Sequence, residues 1–219
     1  MWRGYRKLSS VALAAIACFA MQLTSSKTSA NVLSNAGFEA PDASAGDQTE
    51  NVNWGPFNAA FATRSVTPNS GLQSLKTFGP FFVGGGAGVS QGGFAASAGQ
   101  LWSASAFLRD DTSDAMQGNN FAVVQLQYLD SANNVLHTFE SPHFTTANPT
   151  NVWTPEVATG IAPAGTATAQ ITLVHVQLNS PVTGGSVFWD DASLDQVVPE
   201  PASMGLLAVG GIAFLRRRR

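Results

Sequence analysis

Trp102-Ser103-Ala104-Ser105-Ala106-Phe107-Leu108 is the stretch that decides the fold class. Trp102, Ala104, Ala106 and Leu108 alternate with Ser103, Ser105 and Phe107, and successive side chains on a strand point to opposite faces. The segment reads as a half-buried strand. Outward from it, Phe121 to Leu129 sets Val124, Leu126 and Tyr128 opposite Gln125 and Gln127. Val32–Phe38, Ala60–Val66, Leu72–Phe78, Val135–Phe139, Trp153–Val157, Thr168–Leu178 and Val187–Leu194 read the same way, which makes about nine strands. Within 168–178 the apolar phase flips between Leu173 and Val174, implying either a bulge or burial on both faces. Gly84-Gly85-Gly86 reads as a loop, since glycine weakens a strand interior. No helical periodicity and no internal repeat appears between these segments. Short strands separated by Gly, Pro, Asn and Ser predict an all-β antiparallel sandwich.

Charge narrows the partners. The whole chain carries 11 Lys and Arg against 14 Asp and Glu, a net of −3. Eight of those basic residues lie before residue 31 or after residue 197. Between these limits Arg64, Lys76 and Arg109 face 13 acidic side chains, a net of −10. Such a domain repels nucleic acid and anionic lipid surfaces and leaves neutral polymers and cations as partners. Cys18 is the only cysteine, so disulfides, cysteine-zinc sites and thiol nucleophiles are excluded from the domain.

Both ends read as targeting segments. Arg3, Arg6 and Lys7 precede a largely apolar stretch, Leu8 to Leu23, and Thr28-Ser29-Ala30 supplies small residues before Asn31. That pattern marks residues 1–30 as a signal peptide. Cys18 after Ala15-Ile16-Ala17 suggests a lipoprotein site only loosely, because cleavage there would halve the apolar segment. At the other end Val198-Pro199-Glu200-Pro201 precedes an uncharged run, Ala202 to Leu215, and then Arg216 to Arg219. Two prolines keep the tetrapeptide extended. As a helix the run covers about 21 Å, against ~30 Å of hydrocarbon, which makes it a marginal permanent anchor. The four arginines hold its end on the cytoplasmic side. Residues 31–197 remain as one domain.

The tail at 198–219 resembles the PEP-CTERM sorting signal of exported proteins in Gram-negative bacteria. The resemblance implies handling by exosortase, transient anchoring in the inner membrane through the C-terminal helix, and release to the cell surface or extracellular matrix. Within the domain, Leu33-Ser34-Asn35-Ala36-Gly37-Phe38-Glu39 resembles the opening strand of carbohydrate-binding jelly-roll modules. Ser70 to Leu75, Ala162-Pro163-Ala164-Gly165-Thr166 and Val187 to Leu194 are similar to later parts of the same galactose-binding-like family, in the expected order. The resemblance implies a jelly roll that binds glycan, with a structural calcium tying the first strand to the last through Glu39 and one of Asp190 and Asp191. Neighbours on a strand diverge, so only one of that pair is expected to face the ion, and Asp191 is taken with Glu39 as the metal candidate. The alternative is that these acids are solvated edge residues.

Glycan binding uses aromatic faces against sugar C–H surfaces and amides against hydroxyls. Trp54, Phe57 and Phe61 sit near Gly55-Pro56, and Phe81-Phe82 follow Gly79-Pro80. Trp54, Phe57, Phe82 and Gln125 are the binding candidates, with Gln127 beside Gln125, whereas Trp102, Trp153 and Trp189 lie in strands and read as core. Arg109 is expected to pair with Asp110 or Asp111. No catalytic residue is assigned. Gly88-Val89-Ser90-Gln91-Gly92 spells a nucleophile-elbow pattern but lacks the strand-turn-helix context that the elbow needs. His137, His143 and His175 have no zinc-site spacing. The sequence therefore predicts a non-catalytic exported protein that binds exopolysaccharide. A polysaccharide hydrolase and a ligand-free matrix protein remain the alternatives.

Overall fold

The computed structural model describes residues 30–40, 52–58, 68–178 and 184–198. The signal segment, the strand expected at 60–66, Phe61 and the tail from Pro199 onward lie outside the described residues. Residues Ala30–Gln196 make one compact unit. The described residues hold ten strands: β1 (Gly55–Phe57), β2 (Leu75–Thr77), β3 (Gly85–Ala95), β4 (Leu101–Arg109), β5 (Phe121–Leu129), β6 (Val135–Glu140), β7 (Phe144–Thr145), β8 (Thr154–Ile161), β9 (Thr168–Gln177) and β10 (Val187–Val197). They form two sheets. The larger runs β1-β3-β9-β5-β6 with β7 beside β5, and the smaller runs β2-β10-β4-β8. The pairs β1–β3, β3–β9, β9–β5, β5–β6, β5–β7, β2–β10 and β4–β8 are antiparallel.

Period-two patterning builds the core between the sheets. Trp102, Ala104, Ala106 and Leu108 of β4 turn inward together, and Val124, Leu126 and Tyr128 of β5 face them from the other layer. Trp189 fills the space beneath β2, its indole N–H donating to Thr77 Oγ1 at 2.8 Å. The Tyr128 hydroxyl crosses the layers and donates to the Gly160 carbonyl at 2.7 Å. Each large apolar side chain buried this way contributes about 1.5–3 kcal/mol.

Two sequence expectations are corrected, and one that stood between two outcomes is decided. Residues 32–38 do not form a regular strand, because Asn35 and Phe38 take positive φ of 51° and 56°. The segment is instead a strap. Val32 N–H donates to Leu194 O, Ala192 N–H donates to Ala36 O, and the Gln91 amide clasps both backbone groups of Ser34. Gly85 and Gly86 open β3 rather than forming a loop. Glycine is required along this strand by close approach, since a Cβ at Gly88 would lie 1.7 Å from the Leu173 carbonyl oxygen. The phase flip in β9 is burial on both faces. β9 is the middle strand of its sheet, its register with β5 is unbroken from Thr168 to Val176, and the only shift beside it falls on β3 between Gln91 and Phe94. Ala169, Ile171, Leu173, His175 and Gln177 face inward, whereas Gln170, Thr172, Val174 and Val176 face outward.

Candidate functional site

The outer face of the larger sheet is laid out in rows that cross the strands. One row is apolar: Phe57 of β1 stands opposite Gly88 of β3, which stands opposite Val174 of β9 and then Val123 of β5. The adjoining row is polar: Gly55, Ser90, Thr172, Gln125 and Glu140 follow one another from β1 to β6. A second polar row holds Gln170, Gln127 and Thr138. Glycine at 88 has a job here, because the Phe57 ring comes within 3.1 Å of where its Cβ would be. Val123, Thr172 and Val174 in the middle of the face are buried, whereas Phe57, Gln125, Gln127 and Gln170 are half-buried. At the β6 side Glu140 and His143 each keep 44% of the side chain exposed, 3.5 Å apart, and His143 stacks flat on Phe121 at 4.0 Å.

Hydrogen bonds fix the polar rows. Gln170 Nε2 donates to Gln127 Oε1 at 3.0 Å and to Thr172 Oγ1 at 3.3 Å, and the Thr172 hydroxyl donates to Gln127 Oε1 at 3.2 Å. Gln127 Nε2 donates to Gln125 Oε1 at 3.1 Å, and Gln125 Nε2 donates to Glu140 Oε1 at 2.8 Å. The accessible Phe57 ring and the aligned amides offer the two kinds of contact that a sugar ring requires.

The four glycan candidates part company in the structure. Phe57 and Gln125 share the outer face. Trp54 does not: it is 3% exposed, packs on Phe38 at 5.0 Å and donates its indole N–H to the Asn35 carbonyl. Its place in a tight Asn53-Trp54-Gly55-Pro56 turn reads as exposure, but the strap at 32–38 covers it. Phe82 is 51% exposed and lies against Gly85, whose missing side chain points to the inner side of β3. It therefore belongs to a separate apolar tip with Phe81 and Val83. Trp102 and Trp189 are core, and Trp153 is half-buried. Gln170, Thr172 and Glu140 escaped the sequence reading. Their signal is a polar doublet at i and i+2, Gln170 and Thr172, matching Gln125 and Gln127 on the neighbouring strand.

A second polar cluster surrounds the turn at 68–73. Asp190 Oδ2 accepts from Asn69 N–H at 2.7 Å and Ser70 N–H at 3.2 Å. Asp191 accepts from the Asn69 amide at 2.7 Å and the Ser70 hydroxyl at 2.6 Å. Glu39 Oε1 accepts from Leu72 N–H at 3.0 Å and Gln73 N–H at 3.3 Å. Both aspartates address the same turn, contrary to the expectation from strand alternation, because Asp191 takes φ +45° and breaks the pleat. Burial pushes the Asp190 carboxyl up to about 6, against the lowering effect of the backbone N–H groups that bond it. Glu39 lies over Gly71, where φ is +64° and a Cβ would meet Oε1 at 2.1 Å. These hard anionic oxygens, drawn from the first and last segments, fit calcium in donor type. Among the described residues no three His, Cys, Asp or Glu side chains close on one point, so an ion here would draw also on carbonyl oxygens and water.

The Gly88–Gly92 motif runs along the inside of strand β3, with no turn into a helix. Arg109 pairs with Asp111 at 3.1 Å and Lys76 with Asp114 at 2.8 Å.

Comparison with known proteins agrees with both halves of the chain. Residues 197–219 match the PEP-CTERM protein-sorting motif, the mark of an exported, exosortase-processed protein. No curated protein sequence matches the chain. Solved structures share its fold at low identity. The stig cyclase Fisc from Fischerella sp. TAU is 16% identical with a TM-score of 0.58, over 80% of this chain and 100% of that one. The CBM22-1 xylan-binding domain of Paenibacillus barcinonensis Xyn10C is 11% identical with a TM-score of 0.53, over 78% of this chain and 97% of that one. The enzymatically active domain of bacteriophage CBA120 tailspike protein 4 is 14% identical with a TM-score of 0.52, over 76% of this chain but only 21% of that one. The fold is the jelly-roll β-sandwich of carbohydrate-binding modules.

Proposed function

We propose that the protein is an exported, non-catalytic glycan-binding protein that exosortase releases to the cell surface or matrix, where its jelly roll holds exopolysaccharide. The observation that carries this reading is the outer face of the larger sheet, which the half-buried Phe57 ring shares with a row of aligned amides. Stacking on such a face is mainly dispersion, so binding should be micromolar to millimolar, about −4 to −8 kcal/mol. The fold supports the same reading, since it is shared with a xylan-binding domain, and so does the PEP-CTERM motif. Calcium at the 68–73 turn completes the proposal. The ion would be held by Glu39 and Asp191 with Asp190 beside them, and would neutralise acids that no described Lys or Arg pairs with.

Retention of the full-length protein, purified in mild detergent, on a panel of immobilised neutral polysaccharides tests the reading. Phe57→Ala and Gln125→Ala should each weaken retention about tenfold, with unchanged melting temperature. Retention by neither variant being altered would remove the site from this face. Release of reducing sugar from a retained polymer would favour the hydrolase.

A further inference from the structure

The amide row on the outer face has a direction, and one residue sets it. A carboxylate only accepts hydrogen bonds, so Glu140 obliges Gln125 to present its NH2 group, at 2.8 Å. Gln125 Oε1 is then left to accept from Gln127 Nε2 at 3.1 Å, and Gln127 Oε1 to accept from Gln170 Nε2 at 3.0 Å and from the Thr172 hydroxyl. The relay of donation thus starts at Gln170 on β9 and ends at Glu140 on β6. Room for the far end comes from Gly92, where a Cβ would lie 2.5 Å from Gln170 Oε1.

The groups left over define what the face can hold. Gln170 spends both amide hydrogens, on Gln127 and Thr172. Gln127 and Gln125 each keep one N–H and Gln170 keeps its oxygen, while Glu140 Oε2 lies 3.5 Å from His143 Nε2 at the rim. Alternating donors and acceptors suit hydroxyls, each of which does both. The face carries a full negative charge, and the two cations among the described residues are occupied elsewhere, Lys76 by Asp114 and Arg109 by Asp111. An anionic sugar laid here would meet Glu140 with no Lys or Arg to offset it.

We propose that Glu140 is a positioning residue that locks the Gln170–Gln127–Gln125 ladder in one orientation, so that the face takes uncharged, hydroxyl-rich glycan chains and rejects uronate- or sulfate-bearing ones. This rests on the glycan-binding reading above and adds the class of ligand. In Glu140→Gln the new amide either donates or accepts, the ladder loses its fixed sense, and the repelling charge is gone. Glu140→Asp keeps both the charge and the acceptor.

The test compares the full-length protein and both variants at pH 8, where imidazoles are neutral. Each is passed over the neutral polysaccharide that the wild type retains most strongly, and over the same polymer partly carboxymethylated. The wild type should prefer the neutral polymer by about tenfold or more. Glu140→Gln should bring that ratio down to about threefold or less, while Glu140→Asp keeps it; a merely structural role would lower both affinities and leave the ratio. Equal retention of the two polymers by the wild type, or an unchanged ratio in a folded Glu140→Gln, overturns the proposal and leaves glycan binding standing. Retention of no neutral polymer by the wild type overturns glycan binding as well.

Discussion

His175 shows how one misplaced polarity shapes stability. It faces inward from β9 between Ala87 of β3 and Ala122 of β5, fully buried, and neither ring nitrogen has a hydrogen-bond partner of acceptable geometry. Burial holds its pKa down at about 4, outweighing the Thr77 backbone and the Asp114 carboxylate, which both favour the proton. The folded state therefore excludes the imidazolium. Stability from this group is whole above pH 6.5 and is lost as pH falls toward 4, up to about 3 kcal/mol. Asp190 works in the opposite sense: its raised pKa, about 6, makes folding more favourable as pH falls from 6 to 3.8. Comparing the wild type with His175→Gln cancels that second effect. Denaturation at pH 7 and pH 4.5 should show the wild type losing more stability than the variant, and parallel losses would remove His175 as the cause. The sequence shows only that this histidine lacks zinc-site spacing, because periodicity reports which face a side chain takes and not what surrounds it.

At the scale of elements, the turn at 68–73 joins what the chain separates widely. Glu39 holds one end of it and Asp190-Asp191 hold the other, so the opening strap and the closing strand are both tied to the approach to β2. Losing the two bonds from Leu72 and Gln73 in Glu39→Ala should cost about 1–2 kcal/mol. If calcium also binds there, millimolar calcium should raise the wild-type melting temperature by mass action and leave Glu39→Ala unmoved. A wild type indifferent to calcium would reduce these acids to their hydrogen-bonding role. Strands with clean alternation, β4 and β5, are legible from the sequence, and β9 is legible as a strand despite its phase flip. β3 was not legible. Its Gly88 answers to the Leu173 carbonyl of β9, a strand paired with β3 from far along the chain, and local propensity contains no trace of that contact. The strap at 32–38 failed as a strand for a related reason: side-chain bonds from Gln91 replace the ladder that regular extension would need.

The whole molecule divides sharply by charge and by fate. Its acidic sandwich ends on β10, whose last residue, Val197, is also the first residue of the sorting match. Cleavage near residues 199–201 therefore leaves every described strand intact, including the buried Val187, Trp189, Ala192 and Leu194 that anchor β10 in the core. The same cut would remove Arg216 to Arg219, four of the eleven basic residues, and leave a strongly acidic domain that an anionic lipid surface repels. Sorting and folding are thus compatible at the level of single residues. In a host that carries exosortase, intact-mass measurement of the extracellular protein should give a chain that ends near Pro199–Pro201 and still melts cooperatively. In a host without the enzyme, the protein should stay with the membrane fraction and keep Arg219. Extracellular protein that still carries Arg219 would refute processing at this site, and a trimmed chain that no longer folds would mean that the tail contributes to the sandwich after all.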